Sequence, residues 1–431
     1  MQKKRSHTQL YFLLILLFIL PDSKIKAQNV SSPYSILGIG DIDTKDYDRY
    51  FADGSTAISR RDANSYNFSN PASLTSLPYK LMNFDVAMRG RFSTFQVPTV
   101  DSATAISKDL AIKRISMAFK ITDKLGIAFG LKPYSSVSYQ SEYILQIPDG
   151  SSSYIKSVNG TGGINQIYFS VGKELSNHFS VGLTASYLFG SLENTVTYSP
   201  PANITLQETN FMYGANLLAG FQYYSWSPKD RKQKRWKHQL GLTVTASTPL
   251  NGQLTTDYIS VINTADTLIP EAVVNSRFKL PTSIAFGYSA THNDKLILSC
   301  EANYSDWPSQ FQTLDYTNYY TTSTLRVSAG IEYSHKQKSS RGLEYEKYFL
   351  AMGASAENSY FIINSTYLQD YSITAGGGIN VSGYLSFYGG FEYGIRGDIN
   401  KGQIQENYTG IHLGISLKNS WFNVRKFGKF N

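Results

Sequence analysis

The side chains of this sequence best able to do chemistry are charges set into alternating apolar and polar runs. By that alternation Asp85, Arg89, Arg91, Lys120, Lys132, Glu301, Glu332 and Glu392 fall on the polar side. Carboxylates and guanidiniums brought together out of water make charge-assisted hydrogen bonds, stronger than neutral ones. Such a set can grip a second segment; left wet, it lines a polar pore. The segment before these runs carries Arg49, Arg60, Arg61 and Asp62, so gripping is preferred over plain solvation. Catalytic groupings are not evident. The 6 His are scattered: His7 lies near the start, and His178, His238, His292 and His335 sit at turns. None has metal-ligand spacing. Gly160-Thr-Gly-Gly163 is too loose to cradle phosphate, and no nucleophile elbow is present. Cys300 is the 1 Cys and reads as a small packed hydrophobe. The expectation is a non-enzyme without metal or cofactor.

Charges so placed need a scaffold with two unlike faces. From Phe179 to Phe189, the residues Phe179, Val181, Leu183, Ala185, Tyr187 and Phe189 point one way, with Ser180, Gly182, Thr184 and Ser186 opposite. Phe211–Tyr223, Leu296–Tyr304, Leu385–Tyr393 and Ile411–Leu417 repeat the pattern. Successive strand side chains face opposite sides of a sheet, so each run is a strand with one apolar face. A soluble sandwich also alternates, but its outer face carries Lys and Glu in quantity. Here the second face is mostly Gly, Ser, Thr and Asn, and aromatics crowd the strand ends, within a chain of 32 Tyr and 33 Gly. An apolar belt, aromatic girdles and a polar interior describe a membrane barrel. Only closure satisfies every backbone group within a bilayer when strands do the crossing.

Turn signals thread the strands. Short turns near Thr122–Lys124, Glu174–His178, Ser227–Lys234, Thr291–Asp294, Ser334–Glu344 and Val381–Gly383 are assigned to the periplasm. Longer connections near Pro98–Leu110, Pro148–Ser152, Pro200–Ile204, Ile259–Glu271, Leu314–Thr321, Phe361–Asp370 and Gly397–Gln405 are assigned to the outside. The expected fold is all-β: a transmembrane antiparallel barrel of about fourteen strands with an amino-terminal plug. An even count returns both chain ends to the periplasm.

The start of the chain sets the compartment. Lys3, Lys4 and Arg5 precede the apolar run Leu10–Leu20, which Pro21 and Asp22 break before Ala27. That is the three-part signal-peptide pattern, and the run is too short to cross a bilayer as a helix. Cleavage is expected after Ala27, giving a Gram-negative outer-membrane protein. The formal charge of +8 shrinks on removal of that segment, and the basic clusters Lys229–Lys237 and Lys336–Arg341 are short, so no nucleic-acid partner is expected. Residues 28–79 do not alternate; they hold turn formers, charges and aromatics, which suits an irregular plug in a wide lumen. The expected divisions are signal peptide 1–27, plug 28–79, barrel 80–420 and periplasmic tail 421–431.

Asp53-Gly-Ser-Thr-Ala-Ile58, Asp62-Ala63 and Asn67-Phe-Ser-Asn-Pro-Ala-Ser-Leu74 resemble the amino-terminal hatch of the FadL/OmpP1 family of outer-membrane channels. There an Asn-Pro-Ala motif, here Asn70, Pro71 and Ala72, precedes the first strand. Ser32-Pro-Tyr-Ser35, Gly38-Ile-Gly-Asp41, Gly160-Thr-Gly-Gly-Ile-Asn165 at a strand opening, and Trp421-Phe422 are similar to a Bacteroidota branch of it. The resemblance implies fourteen strands and passive uptake of hydrophobic compounds, with sideways release at a kinked third strand. Lys132 and Pro133 fall in that strand, so they are the candidate lateral gate; an extramembrane strand extension is the equal alternative. Pro281 fits a strand start. The hatch departs from the family in Gly54-Ser55-Thr56-Ala57 and the charged Arg60-Arg61-Asp62.

Two functions stay open. One is a channel for hydrophobic or small solutes, with a hydrophobic ligand and outer-membrane lipid as partners. The other is a non-transporting scaffold of a secretion or assembly complex, with a periplasmic or secretion protein as partner. A continuous apolar path between plug and wall favours the channel. A salt-bridged plug favours the scaffold. Met212 and Leu218 are inward apolar exceptions that suit the first.

Overall fold

The computed structural model describes residues 32–98, 104–146, 153–199, 204–226, 235–261, 265–309, 311–314, 317–338, 344–363, 365–382 and 384–420. The expected signal peptide and the expected tail with Trp421-Phe422 lie outside the described residues. A two-residue strand, β1 (Asp41–Ile42), precedes β2 (Leu81–Gln96), β3 (Thr104–Thr122), β4 (Leu125–Gln146), β5 (Ser153–Ser176), β6 (Phe179–Ser199) and β7 (Ile204–Tyr224). Then come β8 (Trp236–Thr245), β9 (Pro249–Val261), β10 (Ala265–Lys279), β11 (Thr282–His292), β12 (Leu296–Asp306), β13 (Phe311–Leu314) and β14 (Thr317–Thr321). The chain ends on β15 (Thr324–Lys338), β16 (Glu344–Ile363), β17 (Thr366–Ser382), β18 (Leu385–Arg396) and β19 (Gln405–Ser420).

Neighbouring strands are antiparallel, and β19 pairs with β2 from Gln405↔Gln96 to Ser420↔Leu81, which closes the barrel. β8 and β9 run end to end along β7, with β11 and β10 end to end beside them. β15 and β14 likewise follow β16, so the barrel has fourteen staves. Alternation divides them as expected: Leu183, Tyr187 and Phe221 are exposed outside, while Ser180, Thr184 and Gln222 are buried inside.

One end carries tight turns such as Asp123–Lys124 and Asn177–His178, together with the start of β2 and the end of β19. The other carries connections such as Gly397–Ile404, and here the strands overrun the expected loops. β3 begins at Thr104, inside the span assigned to a loop, and β9 and β10 take all but three residues from 259 to 271. Gly160–Asn165 lies in the middle of β5 rather than at its opening. The reason is visible along β4, β5, β6 and β7, which run 22, 24, 21 and 21 residues, where about 9–11 cross a bilayer. Past the belt the two faces exchange chemistry. Thr161, Thr195 and Gln207 now point outward, while Val137, Tyr139, Val158 and Val196 form an inward apolar cluster. The extension is a water-facing sheet with its own small core.

Residues 32–79 pack against the inward faces of the staves. Ser32 Oγ donates to Glu406 Oε2 at 3.0 Å and the Tyr34 hydroxyl donates to the Ile404 carbonyl at 2.5 Å, so the chain starts at the loop end. It reaches the turn end at Pro71–Ser76, against β5, β6 and β7. Residues 32 and 420 therefore lie at opposite mouths of the barrel, and the chain ends themselves lie outside the described residues. The Gly-rich inner face also gains a reason. A Cβ on Gly182 would fall 2.5 Å from the Pro71 carbonyl carbon, so the wall is bare where the segment's backbone lies on it.

Candidate functional site

Three short 3-10 turns shape the amino-terminal segment, and each has a side-chain cap. Ser32 Oγ accepts from the Tyr34 N–H, and Pro33 opens the first turn, Pro33–Ile36. Asp48 accepts from the Tyr50 N–H at 2.7 Å to start Arg49–Asp53, which Gly54 ends in the left-handed region at φ 78°. Asn70 accepts from the Ala72 N–H at 3.1 Å and Pro71 opens Pro71–Ser76. The Asn-Pro-Ala motif is thus a helix start, the fixed φ of proline preorganising its first position. Asn70 Nδ2 also donates to the carbonyls of Ile58 at 2.9 Å and of Phe221 in β7 at 3.1 Å, tying turn to wall.

Ion pairs fix the middle of the segment. Arg49 reaches Glu332 at 2.7 Å, Glu346 at 3.0 Å and also Asp62, with its guanidinium 4.1 Å from the Phe349 ring centre. Arg60 holds Asp53 and the second oxygen of Glu332, each at 2.6 Å. Glu301 accepts the backbone N–H groups of Ala57 and Ile58 at 2.8 and 2.9 Å. Lys45 pairs with Glu392, Lys113 with Asp43 at 2.8 Å, Arg114 with Asp46 at 3.3 Å and Arg396 with Asp41 at 2.9 Å. Burial pushes the Asp53 carboxyl up to about 7, with Arg60 offsetting part of the effect.

The residues singled out in the sequence do not all meet the segment in the same way. Arg89 donates to the Tyr47 hydroxyl at 2.9 Å and to Asp109 at 2.9 Å. Arg91 pairs with Glu406 of the next stave at 2.7 Å and reaches the segment only through it. Asp85 is buried but makes no hydrogen bond to the segment. Lys120 donates to the Asp123 carbonyl at 3.0 Å, and Lys132 stands 3.9 Å from Asp46. Among the described residues Arg61 pairs with no carboxylate; it donates to Gln222 at 3.1 Å and Ser180 at 2.8 Å and lies 4.0 Å from the Tyr224 ring centre. Burial holds its guanidinium down to about 10. Glu346, Glu406, Arg396, Lys113 and Arg114 were missed. The first three fall on inward positions by alternation and could have been found. Lys113 and Arg114 are adjacent, and both turn inward only because β3 has a register shift against β2 there.

The wall opens beside that shift. The ladder between β3 and β4 runs from Thr122↔Leu125 only as far as Ile115↔Leu131. Pro133 follows, and β4 shifts register against β5 between Pro133 and Ser135. The released edge of β4 is taken by the amino-terminal segment: Asp41 pairs with Ser136 and Ile42 with Ser135. The Asp43 N–H donates to the Tyr134 carbonyl at 3.0 Å, and the Ser138 N–H to Ser35 Oγ at 3.1 Å. Gly40 makes this approach possible: its φ is 93°, and a Cβ there would stand only 2.5 Å from the Ser136 oxygen.

Behind it lies a cavity of about 290 Å³, lined by charges such as Asp41, Asp43, Lys45, Arg89, Glu357 and Asp370. Toward the loop end lies an apolar cluster in which Tyr34, Leu37 and Ile39 pack with Leu188, Met212, Leu250, Phe278, Trp307 and Phe361. Met212 joins it; Leu218 borders the charged cavity. Among the described residues no group of His, Cys, Asp and Glu is placed to hold a metal ion.

Residues 9–428 match a protein family described as BamG. No curated protein matches the chain. Among solved structures, a FadL homologue of Pseudomonas aeruginosa is 13% identical over 89% of this chain and 100% of its own, with a TM-score of 0.58. The toluene transporter TodX of Pseudomonas putida is 14% identical over 88% and 99%, with a TM-score of 0.59. The toluene transporter TbuX of Ralstonia pickettii is 12% identical over 86% and 97%, with a TM-score of 0.56. At such identities the likeness is one of fold: an outer-membrane barrel of the FadL type.

Proposed function

This chain belongs to the BamG family, and we propose that it is a non-transporting scaffold of the outer membrane whose barrel is closed by residues 32–79 acting as a plug. The observation that carries this is the shared clamp on Arg49, Arg60 and Glu332, where two plug cations and the carboxylates of Asp53, Glu332 and Glu346 are all nearly out of water. A buried pair broken by moving one partner leaves an uncompensated charge, at a cost of about 3–5 kcal/mol. A plug that must shift for each solute would pay that repeatedly. Asp85, Arg89, Arg91, Glu301, Glu332, Glu392, Arg60, Arg61 and Asp62 are in this reading structural contacts of lumen and plug. Lys132 and Pro133 lead into the stretch of β4 on which β1 is laid, so a solute leaving sideways here would have to displace β1. With the loop end taken as the cell exterior, the plug begins at the cell surface.

The channel reading keeps one observation in its favour. The apolar cluster around Leu188, Leu250 and Phe361 is the type of lining a hydrophobic solute needs, and TodX and TbuX are toluene transporters. Purified protein in lipid vesicles decides between them. Under the scaffold reading toluene and oleate enter no faster than into empty vesicles, and gentle extraction from cells yields a stoichiometric protein complex. Uptake above the empty-vesicle rate that stops when residues 41 and 136 are cross-linked would establish the channel.

A further inference from the structure

We infer that the stretch from Lys108 to Ile112 of β3 is a docking edge for an extended strand of another outer-membrane protein, an inference that rests on the scaffold reading. Three observations lead to it. First, from Lys108 to Ile112 the strand has a ladder partner on its β2 side, whereas among the described residues its ladder to β4 starts only at Ile115. Second, this stretch lies in the apolar belt. Leu110 is level with Gly90 and Ile411, and Ile112 with Met88 and Leu413. Leu110 and Ile112 are 60% and 58% exposed on the outer side. Third, among the described residues the β4 edge across the gap is already bonded to β1, and β3 shifts register against β2 at Lys113, so these two strands do not pair there.

Backbone N–H and C=O groups facing hydrocarbon have no water to bond, so an open edge at this depth demands a partner. Lipid tails supply neither donors nor acceptors, and a helix has none to spare. Only another extended chain can meet alternating donors and acceptors at strand spacing, the mode known as strand addition. The β4 side of the same gap already shows that mode, with Asp41 and Ile42 laid antiparallel on Ser136 and Ser135. The partner strand must be apolar on its lipid side, to continue the row of Leu110 and Ile112.

The test places a photo-crosslinking amino acid at position 110 or 112, and as controls at Leu217 and Leu413, which face lipid on other staves. Amide exchange of residues 108–112 is followed in parallel, in native membranes and in purified protein. The expected result is one protein adduct from 110 and 112, mapped to alternate residues of an extended segment, with about tenfold slower exchange in membranes. Leu110→Lys should abolish the adduct while leaving β2 exchange unchanged. Adducts of lipid alone, or of a second copy of this chain, overturn the inference. If protein adducts arise at Leu217 or Leu413 but not at 110 or 112, the scaffold reading survives and this edge does not. If no position yields protein and vesicles take up toluene, the scaffold reading itself has failed.

Discussion

Residues 41–62 meet the wall through charge, with Arg49 shared among Glu332, Glu346 and Asp62, whereas residues 34–39 meet it through carbon, with Leu37 and Ile39 among Leu188, Leu250 and Phe361. The two contacts fail differently. An apolar contact loses stability in proportion to the volume removed and tolerates sliding. A buried ion pair is directional: it adds little while intact and costs much when one partner goes. The charged middle therefore sets the register of the amino-terminal segment against the wall, and the apolar end adds a contact that tolerates sliding.

The largest expected effect comes from removing the shared cation. Arg49→Met leaves Asp62, Glu332 and Glu346 facing one another, and urea unfolding of the refolded barrel should show a loss of about 3–5 kcal/mol. Adding Glu332→Gln and Glu346→Gln should recover part of it, since the stranded charge is the cost. If the triple variant is no better than the single one, charge is not what holds the middle. Next is Gly40→Val. A β-branched side chain in the left-handed region, 2.5 Å from the Ser136 oxygen at its Cβ, is strained by about 1–3 kcal/mol. Residues 35–43 should then lift from β4, and protease should cut there while the barrel stays intact. Smaller still is Ile39→Val, which removes one methylene from the apolar end for about 0.5–1.5 kcal/mol and should leave protease resistance of the segment unchanged.

The barrel was legible because period-two alternation is a property of each strand alone. Leu183 and Thr184 could be placed on opposite faces without any knowledge of neighbours. What those faces meet was not legible. Thr184, placed on the polar face by alternation, is 2% exposed and bonded to Ser170 at 2.8 Å. The same blindness hid the overrun of β4 to β7, where alternation continues while inside and outside exchange polarity. Pro133 and the pair Lys113-Arg114 mark the opening from opposite sides; the proline was read, but two adjacent inward charges look like an error until a register shift is known.

A different kind of effect is a change of stability with pH, and it lies where the charged middle is least well balanced. Asp53 pairs with Arg60, yet burial outweighs that pairing and pushes the carboxyl from its ordinary 3.8 up to about 7. Between these values the unfolded chain has released its proton and the folded chain has kept it. The folded state then binds more protons, so stability must fall as pH rises from about 4 to about 7 and level off above. Asp53→Asn keeps the shape and removes the titration, and Arg60 retains Glu332 at 2.6 Å. Urea midpoints at pH 5 and pH 8 should therefore lie closer together in the variant than in the natural chain, with the variant's gain confined to pH 8. Equal pH slopes would place the Asp53 proton elsewhere and leave the clamp fully ionised. Even so, the apolar end around Ile39 should show no such slope, since it has no proton to release.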